Sequence, residues 1–596
     1  MHVLPFLVIA LSISTIFATH PLQDLPGIIS NEVDFVRLGK SPHKLASLVK
    51  QVLKIGDKKL ADDVLCQTCD LVFSQILAYR RVGASKDSMV DFFNKLCRVF
   101  TDWGPVACAG YINIEIDTAL YIMDNRKELA ASRICGIYFQ SKGCVDPNAN
   151  PWTVPIPAKL RHTHRHEHRH HASAAPLKIL HLTDFHYDPL YEPGSNAACD
   201  LPLCCQKGNG PAPTPASEAG FWGDYHVCDI PWHSVTNFTA YLTNLNETYD
   251  LVYYTGDIIS HRSWATNKDD NTKALKKLFQ HFKDTFDNTT VFAILGNHEP
   301  HPTDFWSERN VTAAISTQWM FDLVASEWAR WLPNSTVSDI KTGGYYTVLV
   351  RPKFRIIALN SNVCFVSNLW LIYDDHDPYG QLNWLTATLT KAEKNGEIVH
   401  ILSHIPPGEL LCNQRWSNQF RQIVQRFAPI IAAQFNGHTH LDELRLFRDV
   451  NTTKVINVAF NAGSFTTFVG FNPNYRTYDV DPATYRVLDY DHYTYNLTKA
   501  NLDRKNPPQW FKLYSFKSDY GLKNTSNEAL GDLVARMGKN KTLAQQYFRF
   551  QGRDSAPHVK PGCDDLCMKK LVCGITAVET LEMLRCQQMT KTHHKQ

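Results

Sequence analysis

Seven residues of metal-ligating type fall in five short motifs between Asp184 and His440. The motifs are Thr183-Asp184-Phe185-His186, Gly256-Asp257, Gly296-Asn297-His298-Glu299, Ser403-His404 and Gly437-His438-Thr439-His440. Carboxylate, imidazole and amide-carbonyl donors suit a borderline divalent cation such as zinc, and no thiolate is among them. On an extended segment, residues two apart point to one side, so Asp184 and His186 can hold one ion together. His438 and His440 can lie side by side, one on each of two ions. A lone Asp between two ions can bridge them, and Asp257 is the candidate. One such motif alone carries a high false-positive risk. Five in order point to a two-metal site and to metal-assisted hydrolysis of a phosphate ester.

Each motif needs an element to position it. Short apolar runs stand just before them at 177–182 (LKILHL), 249–254 (YDLVYY), 291–295 (VFAIL), 398–402 (IVHIL) and 430–435 (IIAAQF). They are too short for helices and rich in β-branched or aromatic residues, which predicts buried strands. The ligand candidates then sit on loops at strand ends, a common place for α/β active sites. A helix is predicted over 273–286. Periodicity alone supports an α/β fold with buried strands.

The ordered motif set resembles the calcineurin-like metallophosphoesterase superfamily. That resemblance implies a four-layer αββα sandwich. It implies one ion held by Asp184, His186, Asp257 and His440, and a second held by Asp257, Asn297, His404 and His438. An activated water would attack phosphorus in line. The leaving oxygen needs a proton, and His298 and His261 are the candidate catalytic donors or charge stabilisers. His298 follows Asn297 directly. His261 lies four residues after Asp257, within reach of the ions through a turn.

Other features point to export. Residues 3–17 form an apolar run too short for a comfortable membrane span, read as a signal peptide over 1–18, although no Lys or Arg precedes it. The sixteen cysteines cluster in sets of six, four, two and four, which in an exported chain suggests disulfides. Nine N-x-S/T sequons, at Asn237, Asn246, Asn288, Asn310, Asn334, Asn451, Asn496, Asn524 and Asn540, are candidate glycosylation sites. These features together predict a glycoprotein of the secretory pathway, secreted or lysosomal. A net charge of +3 over 596 residues does not suggest nucleic acid. No P-loop or dinucleotide fingerprint is present.

The first six cysteines read Cys66-x2-Cys69, Cys97-x10-Cys108 and Cys135-x8-Cys144, with amphipathic segments between them. This spacing resembles a saposin B-type domain, over 62–147. The resemblance implies the bridges Cys66–Cys144, Cys69–Cys135 and Cys97–Cys108, and helices able to place an apolar face on lipid. The plainer alternative is a stapled helical bundle with no lipid role. A Pro/His-rich linker follows over 148–176. Its segment 161–171, RHTHRHEHRHH, holds six His, three Arg and one Glu. It is a spacer, a zinc-loading tract, or a charge switch around pH ~6.5.

A saposin-type region, a linker, a metallophosphoesterase region (177–500) and a helical Cys-rich tail (501–596), in that order, resemble the acid sphingomyelinase family. Trp222-Gly223-Asp224-Tyr225, Cys228-Asp229 and 358–362 (ALNSN) carry the likeness further. The His-rich insertion departs from the family's usual linker. The resemblance implies the remaining bridges Cys199–Cys204, Cys205–Cys228, Cys364–Cys412, Cys563–Cys567 and Cys573–Cys586. It implies two zinc ions and hydrolysis of sphingomyelin to ceramide and phosphocholine, by a monomer docked peripherally on a sphingomyelin-containing membrane. If the saposin-type part only docks lipid, a chain beginning near Pro176 should still cleave a soluble diester. The alternatives are a phosphodiesterase acting on nucleotides or other diesters, and a lipid-binding protein.

Overall fold

The structure is a computed structural model that describes residues 58–159 and 175–592. The expected signal peptide and the His-rich tract at 161–171 lie outside the described residues.

Four helices come first: α1 (Lys58–Arg81), α2 (Lys86–Phe100), α3 (Gly104–Asn125) and α4 (Ala131–Tyr138). Ser85 caps α2 by accepting the Ser88 N–H at 3.2 Å, and Asp87 and Arg98 suit the two ends of its dipole. α3 is long and apolar enough to cross a membrane, but much of it is buried in the protein, as a core helix would be. Disulfides join Cys66 to Cys144, Cys69 to Cys135 and Cys97 to Cys108. The first of these closes a separation of 78 residues. Such a cross-link removes roughly 4–5 kcal/mol of loop-closure entropy from the unfolded chain.

Two six-stranded mixed sheets come next. The strands are β1 (Leu177–Leu182), β2 (Leu251–Tyr254), β3 (Val291–Ala293), β4 (Tyr346–Arg351), β5 (Phe354–Ala358), β6 (Ile398–Leu402), β7 (Ile431–Asn436), β8 (Asp442–Arg448), β9 (Val455–Ala462), β10 (Asn474–Val480), β11 (Val487–Thr494) and β12 (Phe511–Ser515). The first sheet runs β12-β11-β10-β1-β2-β3 and the second β4-β5-β6-β7-β9-β8. β1, β2 and β3 are parallel neighbours, as are β5, β6, β7 and β9. The sheets meet through aromatic and histidine side chains. Tyr253 and His400, one from each sheet, hydrogen-bond at 2.8 Å. Helices pack on this core, among them Trp232–Asn244, Lys268–Thr285, Gln381–Asn395 and Gln414–Phe427. This is an α/β fold of two packed mixed sheets with helices against them, as the resemblance implied. The five predicted strands occur within two residues of their expected bounds, and the predicted helix starts five residues early, where Asn267 caps it.

The C-terminal region is not a separate unit. β12 closes an edge of the first sheet, and two of the helices after it, Asn527–Met537 and Asp565–Thr576, pack on β9 and β8 of the second. Further disulfides join Cys199 to Cys204, Cys205 to Cys228, Cys364 to Cys412, Cys563 to Cys567 and Cys573 to Cys586, leaving no free cysteine. The sequon asparagines lie on the surface except Asn237 and Asn496, which are half-buried.

Nor do the N-terminal helices stand apart. Phe92, Phe93, Ile112, Ile116 and Ile134 share one apolar core with Phe305, Leu369, Trp370 and Leu371. Buried Arg133 donates to the carbonyls of Leu371 and Ile372 at 2.9 and 2.6 Å and pairs with Asp375 at 3.0 Å. Gln140 donates to the Cys412 carbonyl at 2.7 Å and accepts the Gln414 N–H at 2.8 Å.

Candidate metal centre

Asp184 and His186 follow β1, Asp257 follows β2, Asn297 follows β3, His404 follows β6, and His438 and His440 follow β7. All seven therefore meet at the C-terminal ends of parallel strands, along the seam between the two sheets. Six are buried and His438 is half-buried.

The local backbone is not extended there. Asp184, His186, Asp257, His438 and His440 have φ of 51°, 41°, 63°, 75° and 59°. Non-glycine residues rarely adopt this left-handed region, and clusters of them mark sites where packing enforces strain. The expectation that Asp184 and His186 meet because they alternate on a strand is thereby corrected. They meet because each turns the chain. The motif glycines have a related cause. A Cβ on Gly296 would lie 2.1 Å from Asp257 Oδ1, and one on Gly437 would lie 2.5 Å from Asp184 Oδ2.

The side chains form two groups. Asp184, His186 and His440 make one, and Asp257, His404 and His438 the other. His186 and His440 bring their Nε2 atoms to 3.1 Å. Asn297 Oδ1 lies 3.0 Å from His404 Nε2 and 2.9 Å from His438 Nδ1. Asp257 Oδ2 stands between the groups, 3.2 Å from His186 Nε2 and 3.1 Å from His404 Nε2.

A second layer fixes these donors. His186 Nδ1 donates to the Ile259 carbonyl and His404 Nδ1 to the Thr255 carbonyl, both at 2.7 Å. A carbonyl can only accept, so each Nε2 is left facing the cluster, as a metal ligand requires. Asn297 Nδ2 donates to Asp304 at 2.8 Å, which turns its Oδ1 inward. Glu299 accepts the N–H groups of Asp257 and Gly296 at 3.3 and 2.6 Å, tying two ligand loops together.

The electrostatics call for positive charge. Burial, the largest single influence, would lower His186 and His404, but the nearby carboxylates, Asp257 foremost, together outweigh it and hold both at about 9. Burial would raise Asp257, yet the surrounding histidines hold it well below the usual carboxylate range. The cluster thus draws cations into itself. With the converging Nε2 atoms and an O/N donor set, this fits divalent metal ions and gives no sign of a thiolate-type site.

His261 and His298 flank this centre. Their rings lie 4.0 and 4.8 Å from that of His186, close enough that the three histidines form a compact trio. His261 is otherwise engaged: its Nδ1 and backbone N–H face the two oxygens of Asp229 at 2.7 and 2.6 Å. Phe468 stacks on its ring at 3.8 Å. The His298 N–H donates to Asp257 Oδ1 at 2.9 Å, and burial pushes its imidazole down to about 3.

A cavity of about 500 Å³ opens over the centre. Asp257, Asn297, His298, His261, His438 and His440 form one side. Phe365, Leu410, Leu411, Phe468, Val469 and Phe471 make it largely apolar, and Glu409, Glu443 and Arg445 add charge. Ser141, just after α4, reaches its rim. Asp229, Asp304, Glu409 and Phe468 escaped the reading of the sequence as site residues. Only Asp229 had a signal, standing beside Cys228 in a stretch that matched the family.

The profile of the calcineurin-like phosphoesterase family matches residues 177–442. That of the acid sphingomyelin phosphodiesterase C-terminal region matches residues 448–593. Sphingomyelin phosphodiesterase from Bos taurus is 34% identical over 532 residues, covering 88% of this chain and 84% of that protein. The Homo sapiens sphingomyelin phosphodiesterase is 33% identical over 541 residues, with coverages of 89% and 83%. Human acid sphingomyelinase-like phosphodiesterase 3b is 29% identical over 427 residues, with coverages of 68% and 89%.

Proposed function

The chain belongs to the sphingomyelin phosphodiesterase family of metal-dependent hydrolases, and we propose that it cleaves sphingomyelin to ceramide and phosphocholine at a two-zinc site acting on a membrane surface. The observation that carries the reading is the place of Asp257 Oδ2, within 3.2 Å of a ligand nitrogen of each group, beneath a largely apolar cavity. Asp184, His186, Asp257 and His440 would hold one ion, and Asp257, Asn297, His404 and His438 the other. When bound, the ions supply Lewis acidity to the phosphoryl oxygens and make water a competent nucleophile near neutral pH.

The chain's own residues do the rest. Asp257 Oδ2 joins the two ligand groups and would serve both ions. His186 and His404, locked by backbone carbonyls, present their Nε2 atoms to the centre. His261, oriented by Asp229, gives a proton to the ceramide oxygen as its bond to phosphorus breaks. His298 is kept neutral by burial and offers a hydrogen bond to developing charge. The apolar wall excludes water from the leaving side. The N-terminal helices dock peripherally on the bilayer, the protein acts as a monomer, and nucleic acid is not a partner. The disulfides suit an oxidising compartment, and the site of action is the lysosome or the extracellular space.

The test is hydrolysis of sphingomyelin vesicles beside a soluble nucleotide diester, before and after chelation. The reading expects vesicle hydrolysis that vanishes with chelator and returns with zinc, with two zinc ions per chain by metal analysis. Cleavage of the nucleotide diester alone would replace sphingomyelin as the substrate. Full activity in metal-free protein would remove the two-zinc site.

A further inference from the structure

The C-terminal region reaches the metal-ligand loop through one side chain. Arg553, just past the helix Lys541–Gln551, is fully buried. It and Asp554 are both left-handed, with φ of 53° and 54°, a state that persists only where surroundings over-determine it. A buried arginine ordinarily pairs with a carboxylate. Among the described residues, the guanidinium of Arg553 bonds instead to two carbonyls and a hydroxyl. Nε donates to the Asn472 carbonyl at 2.8 Å, one terminal nitrogen to the His440 carbonyl, and the other to Ser464 Oγ at 3.2 Å. Phe471 lies beneath it at 4.6 Å, and Asn472 Nδ2 donates back to the Arg553 carbonyl at 3.2 Å.

These acceptors belong to two walls of one site. His440 is on the loop after β7, left-handed itself and needing its Nε2 at 3.1 Å from that of His186. The segment from Ser464 to Asn472 carries Thr466, which donates to Asp229, and Phe468, which stacks on His261. The planar fork fixes both segments at once, because its donors have set directions that a flexible ammonium lacks.

We propose that Arg553 is a positioning residue for the metal centre: it sets the place of His440 and so completes the Asp184–His186–His440 group. The Asp257–His404–His438 group takes no bond from it and should not depend on it. The proposal rests on the reading of His440 as a ligand. Outer partners of metal ligands are worth roughly 10–100-fold in metal affinity.

The experiment titrates zinc into metal-stripped full-length protein, with stepwise affinities from competition with a chelator and melting of each apo-protein as the folding check. His440→Ala tests the underlying reading: with no donor at 440 it should bind one zinc, and two would sink the ligand assignment whatever Arg553 does. Arg553→Met should weaken one binding step by roughly 10–100-fold and leave the other within about threefold. Arg553→Lys keeps the charge but cannot span three acceptors, so it should weaken the same step by less. If His440→Ala loses one zinc while Arg553→Met leaves both steps unchanged, or weakens both alike, the positioning role is wrong. Should Arg553→Met fail to melt cooperatively, Arg553→Lys decides by the same criterion, selective loss of one step against no loss or equal loss.

Discussion

Asp257 places one carboxylate oxygen on both metal groups, so its loss should be felt twice. Asp257→Ala is expected to abolish turnover and to lower bound zinc below two ions per chain. A variant that kept both ions and full activity would end its bridging role. His261 and His298 stand beside the groups, and their replacement should separate chemistry from metal retention. His261→Ala or His298→Ala should reduce turnover by roughly 10²–10⁴-fold, the scale of a lost general acid, with zinc content unchanged. Loss of zinc in either would make that histidine a ligand, which its place in the compact trio with His186 allows. The seven ligand candidates were legible in the sequence because ligation restricts residue type and short motifs hold them. Asp229, Asp304 and Arg553 were not, because they act through another side chain or a carbonyl. Any segment that folds to the right place can supply such a contact, so local spacing carries no trace of it.

Strands leave a clearer mark in the sequence than the turns at their ends. A strand buried on both faces must be a short apolar run, so β1 and β6 were legible to the residue. The left-handed turns leave no such pattern in Asp184 or His440, where tertiary contacts override local preference. α3 offers a further case. Glu115 is buried in this helix with one carboxyl oxygen lacking a hydrogen-bond partner among the described residues. Burial, and then the nearby Asp304 carboxyl, push its pKa well above the usual glutamate range. The folded chain therefore holds a proton that the unfolded chain releases above about 4.5. Stability is fully present below that value and falls as pH rises towards the folded pKa. Glu115→Gln, which keeps the shape without the charge, should raise the melting temperature at pH ~7.5 and change it little at pH ~4. Equal shifts at both pH values would mean that Glu115 is not the source of the dependence.

At the scale of the molecule, the N-terminal helices form part of the wall of the hydrolase. The cysteine spacing suggested a module that docks lipid while the remainder stands alone, because sequence shows where a unit begins but not what it leans on. Phe305, Leu369, Trp370, Leu371 and Ile372 are buried in one core with these helices, and Ser141 reaches the catalytic cavity. Burial of each large apolar side chain stabilises by about 1.5–3 kcal/mol. Uncovering five approaches the whole net stability of a typical domain, roughly 5–15 kcal/mol. A chain beginning at residue 175 should therefore be poorly soluble and lose activity on a soluble diester as well as on vesicles. Retention of the soluble activity would restore the picture of a detachable docking module. Truncation thus cannot isolate membrane contact, but single surface changes can. Val82, in the turn after α1, and Val106, in the first turns of α3, are 81% and 62% exposed. Val82→Asp with Val106→Asp removes exposed apolar surface from the N-terminal helices and adds charge, without touching the shared core. Hydrolysis of sphingomyelin vesicles should fall by roughly tenfold or more, since burying each valine in lipid is worth about 1.5 kcal/mol or more. Cleavage of a soluble diester should stay the same, because the metal ligands and His261 are untouched. Unchanged vesicle hydrolysis in the double variant would show that the bilayer meets some other face of the protein.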